Sequence, residues 1–230
     1  KISGDGIKFL MEFNRFSFKE SVEELAKRAN IPIEKDYKIS NNQMWKKDEG
    51  INCLEEAVFY FKKKLSTKDG ELVTKYLLER EVSKEMCKKF SLGASIDEWQ
   101  GLLNHLKSGK KLVKDIFKAG LIKYSEKSGR YYDAFRARLM FPIKDSHGRC
   151  IGFGARSIKS EDKPKYLNSS ETFYYQKSQV LYGLFEGLSS IRQSRMVIFV
   201  EGYLDVIRLH ENGFEEAVAT CGTALTHNHL

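Results

Sequence analysis

Apolar residues recur along this chain in two rhythms, and the change between them divides the sequence. In the first half the spacing is three to four residues. Val22, Leu25, Ala26 and Ala29 repeat at helical intervals before Pro32 stops the run, and Ser17 with Glu20 has the form of a capping box ahead of them. The preceding "GDGIKFLMEF" has the glycine entry and apolar spacing of a junction leading into a helix. Leu54, Val58, Phe61 and Leu65 then form a second stripe. Further helices are predicted within 70–80, over 83–90 with closure near Gly93, around 97–107 and over 110–119. Residues 34–52 have no period and few apolar positions, which predicts a linker or arm. Trp45 beside Lys46 and Lys47 suits either a nucleic-acid contact or a tether packing back on the body.

Near Tyr131 the period shortens to two. "RLMFPIKDSHGRCIGFGARSI" predicts a β-hairpin, with Leu139–Ile143 and Cys150–Ile158 as arms and Asp145–Gly148 as the turn. Alternation puts Ile151, Phe153 and Ala155 on one face of the second arm, and Gly152, Gly154 and Arg156 on the other. Two interior glycines mark a bulge beside a surface arginine, or a face cleared for close approach. Farther on, Met196–Val200 is continuously apolar and reads as a strand buried on both faces. A helix follows from Asp205 to Asn212, capped by Gly213, and Ala217–Thr220 forms a second strand. Strand, helix and strand make a parallel βαβ unit. A helical block, a hairpin and this unit together predict an α+β fold.

Composition changes the picture in three ways. An apolar fraction of 41% with 12% aromatics in 230 residues supports a folded core. No apolar run approaches the roughly 18 residues of a membrane span, and no cleavable leader is visible, so the expectation is a soluble, cytoplasmic protein without membrane contact. Thirty-nine Lys and Arg against thirty-one Asp and Glu leave +8, a surplus suited to a polyanion. Cys53, Cys87, Cys150 and Cys221 are scattered without a CxxC pair, which suits buried small residues better than a zinc site.

Two places carry candidate chemistry. Between the hairpin and the βαβ unit, "KPKYLNSSETFYYQKSQVLYGL" interleaves Lys163, Lys165 and Lys177 with Tyr166, Tyr174 and Tyr175, and Asn168 lies among them. Cations to pair with phosphate and rings to stack on bases are what a single nucleic-acid strand requires. Arg136 and Arg138 precede the first hairpin arm on one side of an extended chain. A shared basic groove through Arg138, Arg156, Lys165 and Lys177 is therefore expected. The second place is the carboxyl end of the first βαβ strand, where ligands bind in open α/β sheets. Glu201 stands there with Gly202 leaving room beside it. Asp205 either adds a second oxygen ligand for Mg²⁺ or complements the helix dipole. Gly222 and Thr223 form a turn at the same end that can offer N–H groups and a hydroxyl to an anion. His227 and His229 have poor spacing for a metal and are expected to be capping or surface residues.

Taken together, these residues resemble a known family. "FVEGYLDVIRLHENGFEEAVATCGTALT" is similar to the first half of a TOPRIM domain as found in bacterial DnaG-type primases. The hairpin and the "KPKYLNSS" segment resemble the basic subdomain that precedes TOPRIM in those polymerases, and "GDGIKFLMEFNRFSFKESVEELAKRANI" resembles the end of their zinc-binding module. The resemblance implies a division into 1–33 (zinc-module remnant), 34–52 (linker), 53–190 (basic subdomain) and 191–230 (partial Rossmann-like TOPRIM). It implies a DNA-directed RNA polymerase making short RNA primers on single-stranded DNA from ribonucleoside triphosphates. Glu201 and Asp205 would act with Mg²⁺ or Mn²⁺, and Arg156, Lys165, Tyr166, Asn168 and Lys177 would hold template and nucleotide phosphates. It places zinc ligands before Lys1, further TOPRIM acids after Leu230, and a replicative helicase on a further C-terminal domain. On that view the chain alone does not polymerise. Another TOPRIM enzyme, such as a phage or plasmid primase-helicase or a nuclease, and a non-catalytic single-strand-binding module remain open as alternatives.

Overall fold

Asp48 opens the larger of two units. Its carboxylate accepts hydrogen bonds from the backbone N–H groups of Gly50 (2.9 Å) and Ile51 (3.4 Å), satisfying donors that a helix start leaves unpaired. The Tyr174 hydroxyl donates to the same oxygen at 2.6 Å. The computed structural model describes residues 6–13, 18–29, 48–159, 163–222, 224–226 and 229. The units are Lys1–Lys47 and Asp48–Leu230. In the first, α1 (Gly6–Phe13) packs on α2 (Phe18–Arg28), in agreement with the helical spacing. The capping residue Ser17, the segment 34–47 with Trp45, and Thr223 and His227 lie outside the described residues.

In the second unit Asp48 starts α3 (Glu49–Leu65), so residues 49–52, expected in the linker, form its first turn. The cap chemistry of Asp48 overrides the polar composition of that stretch. Next come α4 (Glu71–Glu79), α5 (Lys84–Lys89), β1 (Gly93–Ser95), α6 (Gly101–Ser108), α7 (Val113–Lys118) and the hairpin β2 (Ile122–Ser125) with β3 (Arg130–Asp133). The hairpin β4 (Arg138–Lys144) and β5 (Cys150–Ser157) follows as its alternation predicts. β6 (Tyr166–Asn168), α8 (Leu184–Ser194), β7 (Ile198–Val200), α9 (Tyr203–Glu211) and β8 (Ala217–Ala219) complete the order. The strand β1, the β2–β3 hairpin and β6 do not appear in the expected elements; each has only three or four residues, too few to show a period.

Strands β1, β4, β5 and β6 form one antiparallel sheet in the order β1-β4-β5-β6. Helix α3 covers one face. Phe61 meets the Phe153 ring at 5.4 Å between centroids, and a Cβ on Gly93 would lie 2.5 Å from Phe61 Cβ. The other face receives the start of the βαβ unit: a Cβ on Gly154 would lie 2.3 Å from the Tyr203 ring, and one on Gly152 would lie 3.0 Å from the Tyr175 ring. The glycine face is therefore closed by tyrosines of this chain, which is the close approach that interior glycines permit.

β7 and β8 pair in parallel, with Ile198 opposite Ala217 and Val200 opposite Ala219, and α9 connects them. Met196–Val200 departs from expectation in burial. β8 is fully buried, but Phe199 is 39% exposed and Ile198 and Val200 are half-buried, because the described sheet is two-stranded and only one edge of β7 is paired. Gly213 ends α9 in the left-handed conformation (φ 86°) that glycine tolerates. No described helix is long and apolar enough to cross a membrane.

Candidate nucleic-acid interface and carboxylate site

The register of β4 and β5 sorts the basic residues. Arg138 is opposite Ser157 and Leu139 is opposite Arg156. Side chains alternate along a strand and directly opposed residues share a face, so Arg138 and Arg156 project from opposite faces of the sheet. The single groove expected through both does not form; the structure makes two sites.

The first site lies at the start of β4. Arg136 places its guanidinium carbon 3.4 Å from the centroid of Trp99, which is 63% exposed. Tyr132 meets the same indole edge-on at 5.8 Å. Trp99 is fixed from below: Asp133 N donates to the Trp99 carbonyl at 2.8 Å, and the Asp133 carboxylate accepts from Leu102 N (2.7 Å) and Leu103 N (3.0 Å) at the start of α6. Burial pushes the Asp133 carboxyl up to about 6 against those two hydrogen bonds. Ser125, Arg130 and Tyr131 line the concavity with Trp99 and Arg136. An exposed indole capped by a guanidinium can stack a base and pair its phosphate. An adjoining depression takes in Arg136, Arg138, Lys163 and Leu167. Arg138 is 8% exposed and its Nη1 donates to the carbonyls of Pro164 (2.8 Å) and Lys165 (3.5 Å). Its guanidinium holds the 164–165 loop, and in doing so sets where the exposed Lys165 stands.

The second site lies on the opposite face. The Arg156 guanidinium carbon lies 4.8 Å from the centroid of the Tyr76 ring of α4 and 5.2 Å from that of Tyr166 of β6, and its Nη1 donates to the Tyr166 hydroxyl at 2.6 Å. Arg80 lies on the Tyr76 ring at 5.3 Å, so cations and rings alternate in the order Arg80, Tyr76, Arg156, Tyr166. Arg156 is 9% exposed, and its Nε is buried without a hydrogen-bond partner among the described residues. A buried guanidinium donor left unsatisfied is poised for an anion.

Tyr203 connects this stack to the carboxylates. It is the first residue of α9, 4% exposed, with its ring stacked on Phe141 at 4.8 Å and 6.4 Å from that of Tyr166. Burial pushes its phenol well above the usual range, so it donates as a neutral hydroxyl, to Asn168 Oδ1 at 2.6 Å. Asn168 Nδ2 donates to the Cys221 carbonyl at 2.6 Å. Both ends of the Asn168 amide are thus engaged within the protein, which fixes the orientation of a side chain expected to contact nucleic acid.

Glu201 follows β7 and is exposed; among the described residues no ion pair or hydrogen bond engages its carboxylate. Asp205 is exposed in the first turn of α9. A Cβ on Gly202 would lie 2.9 Å from Asp205 Oδ2, so the absence of a side chain there keeps the two carboxylates on one open edge. Two hard oxygen donors in this cradle suit part of a Mg²⁺ ligand set. No group of three metal-ligating side chains occurs among the described residues. The same edge carries Cys221 and Gly222, both at positive φ (57° and 78°), and a Cβ on Gly222 would meet nothing within 4 Å. Lys177 is half-buried nearby: burial raises the Cys221 thiol, and Lys177 is among the charges that oppose that rise. His229, expected as a capping or surface residue, is 9% exposed; its Nδ1 accepts from Thr226 N at 3.1 Å and its Nε2 faces the Lys177 carbonyl at 3.1 Å. It fastens the turn that follows β8 to the Lys177 segment.

Trp99, Tyr76, Arg80 and Tyr203 are the participants that sequence reasoning passed over. Only Tyr203 carried a signal, its position directly after Glu201-Gly202.

Three family profiles match the chain in order: CHC2 zinc finger over residues 1–41, DNA primase catalytic core, N-terminal domain over 60–187, and Toprim domain over 195–230. Residues 1–41 hold no Cys or His, and the described cysteines form no cluster, so the residues present do not fit a zinc ion. The DNA primase of Pseudomonas aeruginosa is 37% identical over 99% of this chain and 35% of its own length. That of Deinococcus radiodurans is 39% identical over 100% of this chain and 38% of its own. The chain therefore spans about a third of the length of these relatives. Among solved structures, a DnaG primase catalytic domain bound to single-stranded DNA superposes with a TM-score of 0.73 at 33% identity, covering 79% of this chain and 56% of that one.

Proposed function

The chain belongs to the DnaG DNA primase family, and from that premise we propose that it supplies the template-binding face and one half of the metal-carboxylate edge of a primer-synthesising RNA polymerase. The observation that carries the reading is Arg136 stacked at 3.4 Å on an exposed Trp99, with the exposed Lys165 on the loop that Arg138 holds. Trp99 stacks a template base, Arg136 pairs its phosphate, and Lys163 and Lys165 follow the strand along the loop that Arg138 holds. On the opposite face Arg156, with Arg80 beside it, binds phosphates of the incoming ribonucleoside triphosphate.

Glu201 and Asp205 would hold Mg²⁺ or Mn²⁺, with Gly222 contributing a backbone N–H donor at that edge. When bound, the metal neutralises phosphate charge and favours ionisation of a 3′ hydroxyl. The chain's own residues do the positioning: Tyr203, locked into the sheet by Asn168, fixes the edge that bears Glu201 relative to the phosphate site. The RNA primer, a replicative helicase, zinc held by the family's zinc-binding module, and action in the cytoplasm belong to the same proposal.

The test uses this chain and fluorescence anisotropy of a labelled dT oligonucleotide at several salt concentrations. The expected result is binding that weakens with salt and falls by about tenfold or more on Trp99→Ala, the loss of one stacked base. Equal binding by wild type, Trp99→Ala and Arg136→Glu would overturn the template assignment. In the whole polymerase, Glu201→Gln is expected to abolish primer synthesis with template affinity unchanged.

A further inference from the structure

The Arg80, Tyr76, Arg156, Tyr166 stack has a property that charge alone does not provide. A guanidinium is free to rotate about three or four side-chain torsions, and an arginine that must meet a phosphate in a fixed geometry needs its plane held. Tyr166 holds one corner of Arg156 through Nη1 (2.6 Å) and lies beside the plane at 5.2 Å, but it sits on the short β6 strand and is 40% exposed. The same guanidinium meets the Tyr76 ring at 4.8 Å. Tyr76 belongs to α4, whose Val73 and Leu77 are buried in the core, so its ring has a rigid base. The donor this arrangement leaves without a partner among the described residues is Nε, which is buried.

We infer that Tyr76 is the positioning residue of Arg156: its ring clamps the guanidinium against Tyr166 so that the buried Nε edge meets a polyphosphate in one orientation. This rests on the assignment of Arg156 to phosphate binding. Tyr76 acts through its ring face and does not touch the ligand. The variant Tyr76→Phe keeps the clamp, whereas Tyr76→Leu keeps apolar volume and removes the π face.

Inorganic tripolyphosphate is the probe, titrated calorimetrically into this chain and its variants, with thermal melting of each. Tyr76→Leu is expected to weaken tripolyphosphate binding by about five- to twentyfold, the worth of a desolvated cation–π contact, and Tyr76→Phe by no more than about twofold. The dT oligonucleotide affinity that depends on Trp99 is expected to stay unchanged in both. Tyr76→Met serves as a second variant if Tyr76→Leu melts early. Equal tripolyphosphate affinity in wild type, Tyr76→Leu and Tyr76→Met, with Arg156→Ala reduced, would overturn the inference and leave the phosphate assignment standing. Equal affinity in wild type and Arg156→Ala would overturn both. Loss in Tyr76→Phe as large as in Tyr76→Leu would also overturn it, since the ring would then not be the acting group.

Discussion

Tyr203 donates to Asn168 at 2.6 Å while its ring fills the space above Gly154, so the residue two places after Glu201 is anchored in the sheet that carries Arg156. This side chain and the Asn168–Cys221 bond beside it help join the βαβ unit to the basic sheet. Gly154→Ala would drive a methyl to 2.3 Å from the ring, which is itself buried and held by its hydrogen bond to Asn168. The expected cost is about 1–3 kcal/mol, the usual penalty of overpacking. Chemical denaturation checks it. A smaller effect for Gly154→Ala than for Gly213→Ala in α9's exposed cap would count against the anchor.

Asn168→Leu tests the polar half of the same joint. It strands the Cys221 carbonyl and the buried Tyr203 hydroxyl, and is expected to cost about 1–3 kcal/mol for the groups left unsatisfied. Asn168→Leu in a Tyr203→Phe background is expected to cost less than the two changes added, because the hydroxyl is then absent. A strictly additive double mutant, measured by the same denaturation, would refute the coupling.

The two arginines at the start of β4 are expected to behave differently although they are two residues apart. Arg136→Gln lowers oligonucleotide affinity and the salt slope with little change in melting temperature, since its guanidinium lies on an exposed indole. Arg138→Gln destabilises by about 1–3 kcal/mol, since it removes a charged donor from two loop carbonyls. Identical melting curves for the two variants would show that Arg138 does not hold the loop.

How far the sequence reveals this site depends on which interactions are local. The β4–β5 hairpin and the βαβ unit are legible because each is set by alternation or by contiguous apolar residues and a glycine cap. The presence of Glu201 at a strand end follows from the same pattern. What escaped was long-range. Arg138 and Arg156 looked like members of one groove because they stand near the open ends of the two hairpin arms, yet their faces are decided by cross-strand register, which pairs Leu139 and not Arg138 with Arg156. Tyr76 and Arg80 read as ordinary helix residues because the partner that gives them meaning, Arg156, comes from another element. Asn168 looked like a free amide for the same reason: its two partners lie beyond residue 200.

Lys144 and Glu186 form an ion pair at 2.8 Å with side chains only 12% and 5% exposed, connecting β4 to α8. Lys144 also donates to the Lys89 carbonyl at 3.3 Å. Glu186→Ala is expected to cost about 3–5 kcal/mol, most of it from leaving the lysine buried without its partner. Lys144→Met combined with Glu186→Leu is expected to recover much of that loss. If the single and double variants unfold at the same denaturant concentration, the penalty does not arise from the orphaned charge.

His210 gives the fold a dependence on pH. It lies on the buried face of α9 and is 3% exposed, its Nε2 donates to the Ala217 carbonyl at 3.0 Å, and its Nδ1 is buried with no partner among the described residues. Burial lowers its pKa below 6.5; Lys89 adds to the lowering, while the Ala217 carbonyl, Glu215 and Glu186 oppose it. A depressed histidine means that the unfolded chain binds the proton more readily than the folded one. The contribution to stability is therefore complete above the unfolded value of about 6.5 and is lost as pH falls from there through the folded value. Urea midpoints measured from pH 7.5 down to pH 5 are expected to fall in wild type. In His210→Gln, which cannot titrate and can still donate to Ala217, the decline over that interval should be much shallower. An unchanged decline in His210→Gln would assign the acid sensitivity to other groups, with Glu215, whose pKa is lowered by its hydrogen bond to Lys89, next in order at lower pH.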